Sequence, residues 1–269
     1  MPGPQTLTLI GAGQMGTALL RGWLASGVPG PVRVLEPQPG DELKAWAEAG
    51  LVRLNPDPQP SAQLVMAVKP QQFAAASDAA RRFAGPQTLA VSIMAGVKLA
   101  QLSRALATAR VIRAMPNTPG AIGRGVSVFA APEGLDRAGM DAARQLLAPL
   151  GEVHGPVDEA LMPAVTALSG SGPAYLFLLA ETMAAAGEAE GLPKALAEAL
   201  ARRTVEGAAA LMAQGSEAPG ALRRAVTSPG GTTEAALDIL MGTGGMADLL
   251  RQAIRAAASR DRQLSKEAG

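Results

Sequence analysis

The chain has 269 residues, enough for about two domains that each bury a proper core. Charged residues make up 17% and the formal net charge is +1, so no basic face announces nucleic acid. There is no cysteine, which removes disulfides, thiolate nucleophiles and Cys-ligated zinc, and fits a reducing cytoplasm.

Residues 6–10 (Thr-Leu-Thr-Leu-Ile) are a short β-rich run, reached without a basic leader, so a signal peptide is not expected. Gly11-Ala12-Gly13-Gln14-Met15-Gly16 follows at once, then an apolar pattern at helical spacing over 13–25. Strand, G-x-G-x-x-G, helix is the context that the dinucleotide fingerprint requires. Gly11 makes the tight turn, Gly13 lets backbone approach the pyrophosphate, and Gly16 lets helix and strand pack closely. A second strand over 31–36 ends on Glu36, 20 residues beyond Gly16. A carboxylate there accepts from a ribose 2′-OH and repels a 2′-phosphate, or it is simply a solvated strand end; both readings stand.

The alternation continues with strands at 51–54, 63–68, 88–93, 110–115, 125–130 and 152–154, and helices at 41–49, 71–83, 97–107 and 136–149. Residues 63–68 are nearly all apolar, as in a parallel strand covered on both faces. The Pro-rich run beginning at Asn55 is a surface loop. His154 reads as a surface or structural histidine with no acid–base partner nearby. After Val157 strand signals vanish and Ala, Leu, Met and Glu recur at helical period. The expected architecture is α/β: a doubly wound Rossmann-type domain over 1–157, then an all-helical domain over 158–269.

Residues 160–180 carry no charge, long enough to test against a bilayer. Pro163, Pro173, Gly170 and Gly172 interrupt the run, and it reads as a closely packed soluble helix. Met162, Met183, Met212, Met241 and Met246 read as core or interface filler, and the charges at 255–262 as a solvated helix face. The segment Val226-Thr227-Ser228-Pro229-Gly230-Gly231-Thr232-Thr233 opens a helix over 234–240. Pro229 and two glycines forbid helix before that point. The turn offers backbone N–H groups and hydroxyls to a carboxylate or phosphate, or is a plain loop with a threonine cap.

Taken with Ala67-Val68-Lys69-Pro70-Gln71, Ser92-Ile93-Met94-Ala95-Gly96-Val97, Arg113-Ala114-Met115-Pro116-Asn117-Thr118-Pro119 and Leu168-Ser169-Gly170-Ser171-Gly172-Pro173-Ala174-Tyr175, these blocks resemble the Δ1-pyrroline-5-carboxylate reductase family along nearly the whole chain. The Ser-Gly-Ser-Gly-Pro-Ala-Tyr and Ser-Pro-Gly-Gly-Thr-Thr blocks are the specific ones. The resemblance implies NADPH- or NADH-dependent reduction of a five-membered cyclic imine carboxylate to L-proline. It implies that Gly230, Gly231, Thr232 and Thr233, with Ser171 and Glu217, meet the substrate, and that the Thr233 hydroxyl hydrogen-bonds the ring nitrogen. It places Gly11, Ala12, Gly13, Gln14, Met15, Gly16, Glu36, Asn55, Ala67, Lys69, Pro70, Ala95, Gly96 and Asn117 on the cofactor side. Lys69 is equally read as a strand-end lysine, and Asn117 as an Asx-turn. No metal is expected, since an iminium is already electrophilic. The implied assembly is a cytoplasmic homodimer or a ring of dimers, with no membrane or nucleic-acid partner.

Two other classes compete. β-Hydroxyacid dehydrogenases use an interdomain lysine, yet no lysine lies between Glu159 and Leu192. A non-catalytic nucleotide-binding scaffold would have no need of the Gly-Gly-Thr-Thr turn.

Overall fold

The computed structural model describes residues 6–27 and 31–267; the ends of both expected domains, 1–5 and 268–269, lie outside the described residues. Eight strands form one sheet: β1 Leu7–Ile10, β2 Val32–Leu35, β3 Val52–Leu54, β4 Gln63–Met66, β5 Leu89–Ser92, β6 Val111–Met115, β7 Gly125–Ala130 and β8 Gly151–His154. Five helices alternate with them: α1 Gln14–Ala25, α2 Asp41–Glu48, α3 Phe73–Arg81, α4 Leu99–Leu106 and α5 Arg137–Leu147. The sheet order is β3-β2-β1-β4-β5-β6-β7-β8, and chain order reverses between β1 and β4.

Strand alternation sorts the apolar residues to two faces. Leu9, Val34, Val65, Val91 and Ile112 pack with α1, α2 and α5 through Leu19, Leu20, Trp23, Leu43 and Leu147. Ile10, Leu64, Met66, Ala90 and Val111 pack with α3 and α4 through Phe73, Ala80, Leu102 and Leu106. Each such buried side chain contributes about 1.5–3 kcal/mol before entropy is set against it. Trp23 is buried whole because its indole N–H finds the Leu146 carbonyl at 2.8 Å. The Asp136 carboxylate caps α5 by accepting from the Gly139 N–H at 2.8 Å. Its pKa lies below the usual carboxylate value, because the Arg110 guanidinium and then that N–H hydrogen-bond the charged form.

The sheet departs from an all-parallel pattern at one place: β6 and β7 run antiparallel. Their connection, 116–124, holds only a 3-10 turn (Thr118–Ile122). A parallel crossover needs about a dozen residues. The short connection also supplies no helix to cover β6.

Beyond β8 every element is helical. A 3-10 turn Glu159–Leu161 leads into α6 Met162–Val165 and a π-helical turn Thr166–Gly170. Then come α7 Gly172–Ala189, α8 Lys194–Gln214, α9 Pro219–Ala225, α10 Thr232–Met241 and α11 Met246–Glu267. The expected boundary at 157/158 differs from the compact units, which are Met1–Ser171 with Ala257–Gly269, and Gly172–Ala256. The difference arises because 159–171 and the last turns of α11 pack on the sheet. The charges at 255–262 therefore do not form a wholly solvated face: Asp261 is 2% exposed.

In the second unit α7 and α8 form a helical hairpin, turned through Gly191 at φ +96°. Consecutive residues Leu176, Phe177 and Leu178 are all exposed, so α7 is apolar around its circumference. Met162 is buried, whereas Met183, Met212, Met241 and Met246 lie exposed on this single chain. The helical run Glu159–Ala189 holds an 18-residue window of mean hydropathy 1.2, long and apolar enough by composition to cross a membrane.

Candidate functional site

The loops after β1, β4, β5 and β6 gather at the carboxyl edge of the parallel strands, beside the point where strand order reverses. Ligands of open α/β sheets lie there. Gly11 has φ +90°, and a Cβ on it would lie 2.7 Å from Val68 Cγ1 and 2.8 Å from the Ala67 carbonyl oxygen. Only glycine fits. A Cβ on Gly16 would collide with the Gly11 carbonyl and approach Ala67 Cβ, so Gly16 brings α1 onto the β1 and β4 edges. Gly13 differs from both: a Cβ there meets nothing within 4 Å. It is the N-cap of α1 and provides no side-chain cap, so the first N–H groups face open space. Gln14 begins the helix, and Met15 packs against the core.

Glu36 is half-buried and turned towards this loop. One carboxylate oxygen accepts from the Ala12 N–H at 2.8 Å, the other from the Gln38 N–H at 3.0 Å. It is thus not a freely solvated strand end. Asn55, at φ +45°, holds the Glu36 backbone from the far side: its Oδ1 accepts from the Glu36 N–H at 2.9 Å, and its Nδ2 donates to the Glu36 carbonyl at 3.0 Å. No Lys or Arg occurs between Glu36 and Glu42.

Ala67 donates its N–H to the Ile10 carbonyl, directly behind the fingerprint. Lys69 is exposed where the strand gives way to the 3-10 turn opened by Pro70. Ala95 is half-buried and Gly96 has φ +76° in the loop after β5. Asn117 is committed to local structure. Its Oδ1 accepts from the Val126 N–H at 2.9 Å, nine residues on, and its Nδ2 donates to Ser169 Oγ at 3.4 Å. This is longer in reach than an Asx-turn. Ser171 closes the π-helical turn, donating its N–H to the Thr166 carbonyl at 2.8 Å.

In the second unit, α10 begins at Thr232, two residues earlier than the sequence predicts, and its N-cap is Gly231. Neither threonine is therefore the cap. The Gly231 N–H donates to the Ser228 carbonyl at 3.0 Å, and the Gly230 N–H to Glu234 Oε2 at 2.7 Å. These two amides, expected at the substrate, are engaged within the turn. Those of Thr232 and Thr233 have no acceptor among the described residues, as the first turn of a helix leaves them. Glu217 is exposed in the loop between α8 and α9. His154, expected to stand alone, has Nε2 3.0 Å from Glu152 Oε1 on the same exposed strand face.

Sequence reasoning missed three features. Glu234 folds back on the turn, and the signal was an acid in the first helical turn. Ser169 meets Asn117, with no sequence signal beyond the glycine-serine block. Arg113 on β6 is 2% exposed and ion-paired with Asp261, and an arginine inside a strand buried on both faces was its signal.

The profile described as pyrroline-5-carboxylate reductase dimerisation matches residues 159–264, and one described as NADP oxidoreductase, coenzyme F420-dependent, matches residues 6–96. A pyrroline-5-carboxylate reductase of Pseudomonas aeruginosa is 39% identical over 268 residues, 98% of each chain. The chain belongs to the pyrroline-5-carboxylate reductase family. The solved reductase of Coxiella burnetii superposes with TM-score 0.86 at 32% identity, over 97% of this chain and 99% of that one. The Plasmodium falciparum pyrroline carboxylate reductase, solved with NADP bound, shares the fold: TM-score 0.78, 22% identity, and 97% and 98% coverage. The family's dimerisation segment takes in α7 and α8, the elements with unpartnered apolar surface, so the apolar run at 159–189 belongs to that segment.

Proposed function

We propose that the protein reduces the C=N bond of pyrroline-5-carboxylate to give L-proline, with NADH or NADPH as donor. The observation that carries this reading is one chain holding both an open fingerprint loop and a Gly-Gly-Thr-Thr helix start with free N–H groups. Its end-to-end likeness to named reductases supports the substrate.

The chain fits the nucleotide. The space above Gly13 and the uncapped start of α1 suit a pyrophosphate, and Glu36 retains lone pairs for ribose hydroxyls. Ala95 and Gly96 offer small residues to the nicotinamide half, and Lys69 supplies an exposed cation after β4. When bound, the reduced nicotinamide supplies a hydride to the imine carbon.

The protein's own task is orientation. The Thr232 and Thr233 amides hold the substrate carboxylate at the positive end of α10. The Thr233 hydroxyl accepts from the protonated ring nitrogen and remains bonded to it as an amine once the carbon has been reduced. Ser171 and Glu217 complete the substrate side.

The working assembly is a homodimer in the cytoplasm, in which the apolar helical faces cover one another. Each nucleotide domain then works with the partner's Thr233 turn, and dimers build larger rings. The test is NAD(P)H oxidation, followed by absorbance, with pyrroline-5-carboxylate beside a 2-keto acid. Turnover only with the cyclic imine supports the reading, and turnover only with the keto acid overturns it.

A further inference from the structure

We propose that Arg113 is a positioning residue for the nucleotide pocket: with Asp261 and Glu159 it clamps the loop carrying Ala95 and Gly96. The inference deepens the functional reading and rests on its placement of that loop at the nucleotide.

The argument begins on β6. Val111 and Arg113 share the sheet face that α3 and α4 cover, since strand side chains alternate. The short β6–β7 connection provides no helix there, and the last turns of α11 return to fill the place. An arginine thereby ends up 2% exposed, between two acids that arrive from different parts of the chain. Its Nη2 lies 3.2 Å from Asp261 Oδ2 on α11, and its Nη1 lies 3.6 Å from Glu159 Oε1 at the start of the 3-10 turn.

Glu159 reaches the loop between β5 and α4 directly, and Asp261 reaches it only through the next turn of its own helix, α11. Glu159 Oε1 accepts from the Leu99 N–H at 2.7 Å, the first residue of α4 after that loop. On the other side, a Cβ on Gly96 would lie 3.1 Å from Leu264 Cβ and 3.4 Å from the Ser265 nitrogen. Ser265 Oγ donates to the Asp261 carbonyl at 3.0 Å, and Gln101 Nε2 on α4 donates to the Ser265 carbonyl at 3.4 Å. Arg113 thus anchors a grip on both ends of the segment 96–101.

Stability alone is a poor reason for this arrangement. Arg113 Nε and Asp261 Oδ1 are buried without a hydrogen-bond partner among the described residues. A buried ion pair so incompletely satisfied is commonly matched or bettered by apolar residues of similar volume. What an apolar pair lacks is the fork that joins two separate acids, and hence two walls of one loop.

The test uses the full-length protein with Arg113→Met combined with Asp261→Met, a pair that fills the volume and removes both buried charges; Glu159 loses its cation but is 30% exposed and keeps the Leu99 N–H. Melting temperature reports folding, NADH and NADPH fluorescence titration reports binding, and hydrogen exchange without nucleotide reports residues 94–99. The expected result is a melting temperature close to the parent's with faster exchange over 94–99. Nucleotide affinity should be weaker by roughly 2- to 30-fold, the range of coupling through packed elements. The KM for the imine at saturating nucleotide should barely move. Glu159→Gln, which keeps the acceptor for Leu99, should show a smaller change in the same direction. Unchanged exchange over 94–99 in the double variant overturns the clamp. Ala95→Leu separates that failure from the other: if it binds nucleotide normally, the loop does not face the nucleotide and the reading beneath the inference is wrong.

Discussion

Thr233 carries the chemical claim at the scale of single residues. Gly231, not a threonine, is the N-cap of α10, so removing the Thr233 hydroxyl takes no cap from the helix. Thr233→Ala should therefore lower kcat/KM by roughly ten- to a thousand-fold, the range of one well-placed polar contact, with nucleotide affinity and melting temperature nearly unchanged. Thr233→Ser should retain much more activity, and Thr232→Ala should be mild because alanine keeps the amide. Kinetics and melting curves on the three variants decide it: a fully active Thr233→Ala would end the catalytic role. Glu36 governs cofactor choice. One of its oxygens accepts from the loop after β1 and the other from the Gln38 N–H just after β2, in a stretch with no cation to meet a 2′-phosphate. The parent should use both nucleotides, and Glu36→Ser should raise the NADPH/NADH ratio of kcat/KM by at least about fivefold, the factor for ~1 kcal/mol of relieved repulsion. Glu36→Ser also frees the Ala12 N–H, so some NADH affinity should be lost. An unchanged ratio would mean that Glu36 does not face the ribose.

At the scale of elements, the start of α1 separates a folding glycine from a binding one. Gly16→Ala drives a methyl into the Gly11 carbonyl and should cost roughly 1–3 kcal/mol of stability, read as a fall in melting temperature. Gly13→Ala puts its methyl into open space and should leave melting within about 0.5 kcal/mol of the parent while weakening NAD(P)H binding. Equal effects of the two on stability would mean that the space above Gly13 is not the nucleotide's. The strands and first five helices were legible because their signals are local. Runs such as Leu64-Val65-Met66 are apolar on both faces, and Gly11 and Gly16 stand where a turn and a close approach demand them. The antiparallel β7 was not legible, since direction is set by the length of the connection rather than by β7's own residues. Nor was the π-helical turn at 166–170, which brings Ser169 to Asn117.

At the scale of the whole molecule, what the sequence hid is burial supplied from a distance. The charges near Asp261 read as a solvated face because helical periodicity cannot say which later or earlier strand lies opposite. Asp261 is buried because the last turns of α11 pack against Arg113 of β6. The opposite holds for α7, whose uncharged length promised burial and which is instead exposed at Leu176, Phe177 and Leu178. Surface of that kind needs a second subunit. Light scattering at micromolar protein should return a dimer or a multiple of it, and a monomer with full activity would refute the shared site. The most direct measurement is product analysis: incubate the purified protein with pyrroline-5-carboxylate and NADH or NADPH, and quantify L-proline against nucleotide oxidised. One proline formed per nucleotide consumed is the predicted result. Nucleotide oxidation without proline, or none with either cofactor, would contradict it.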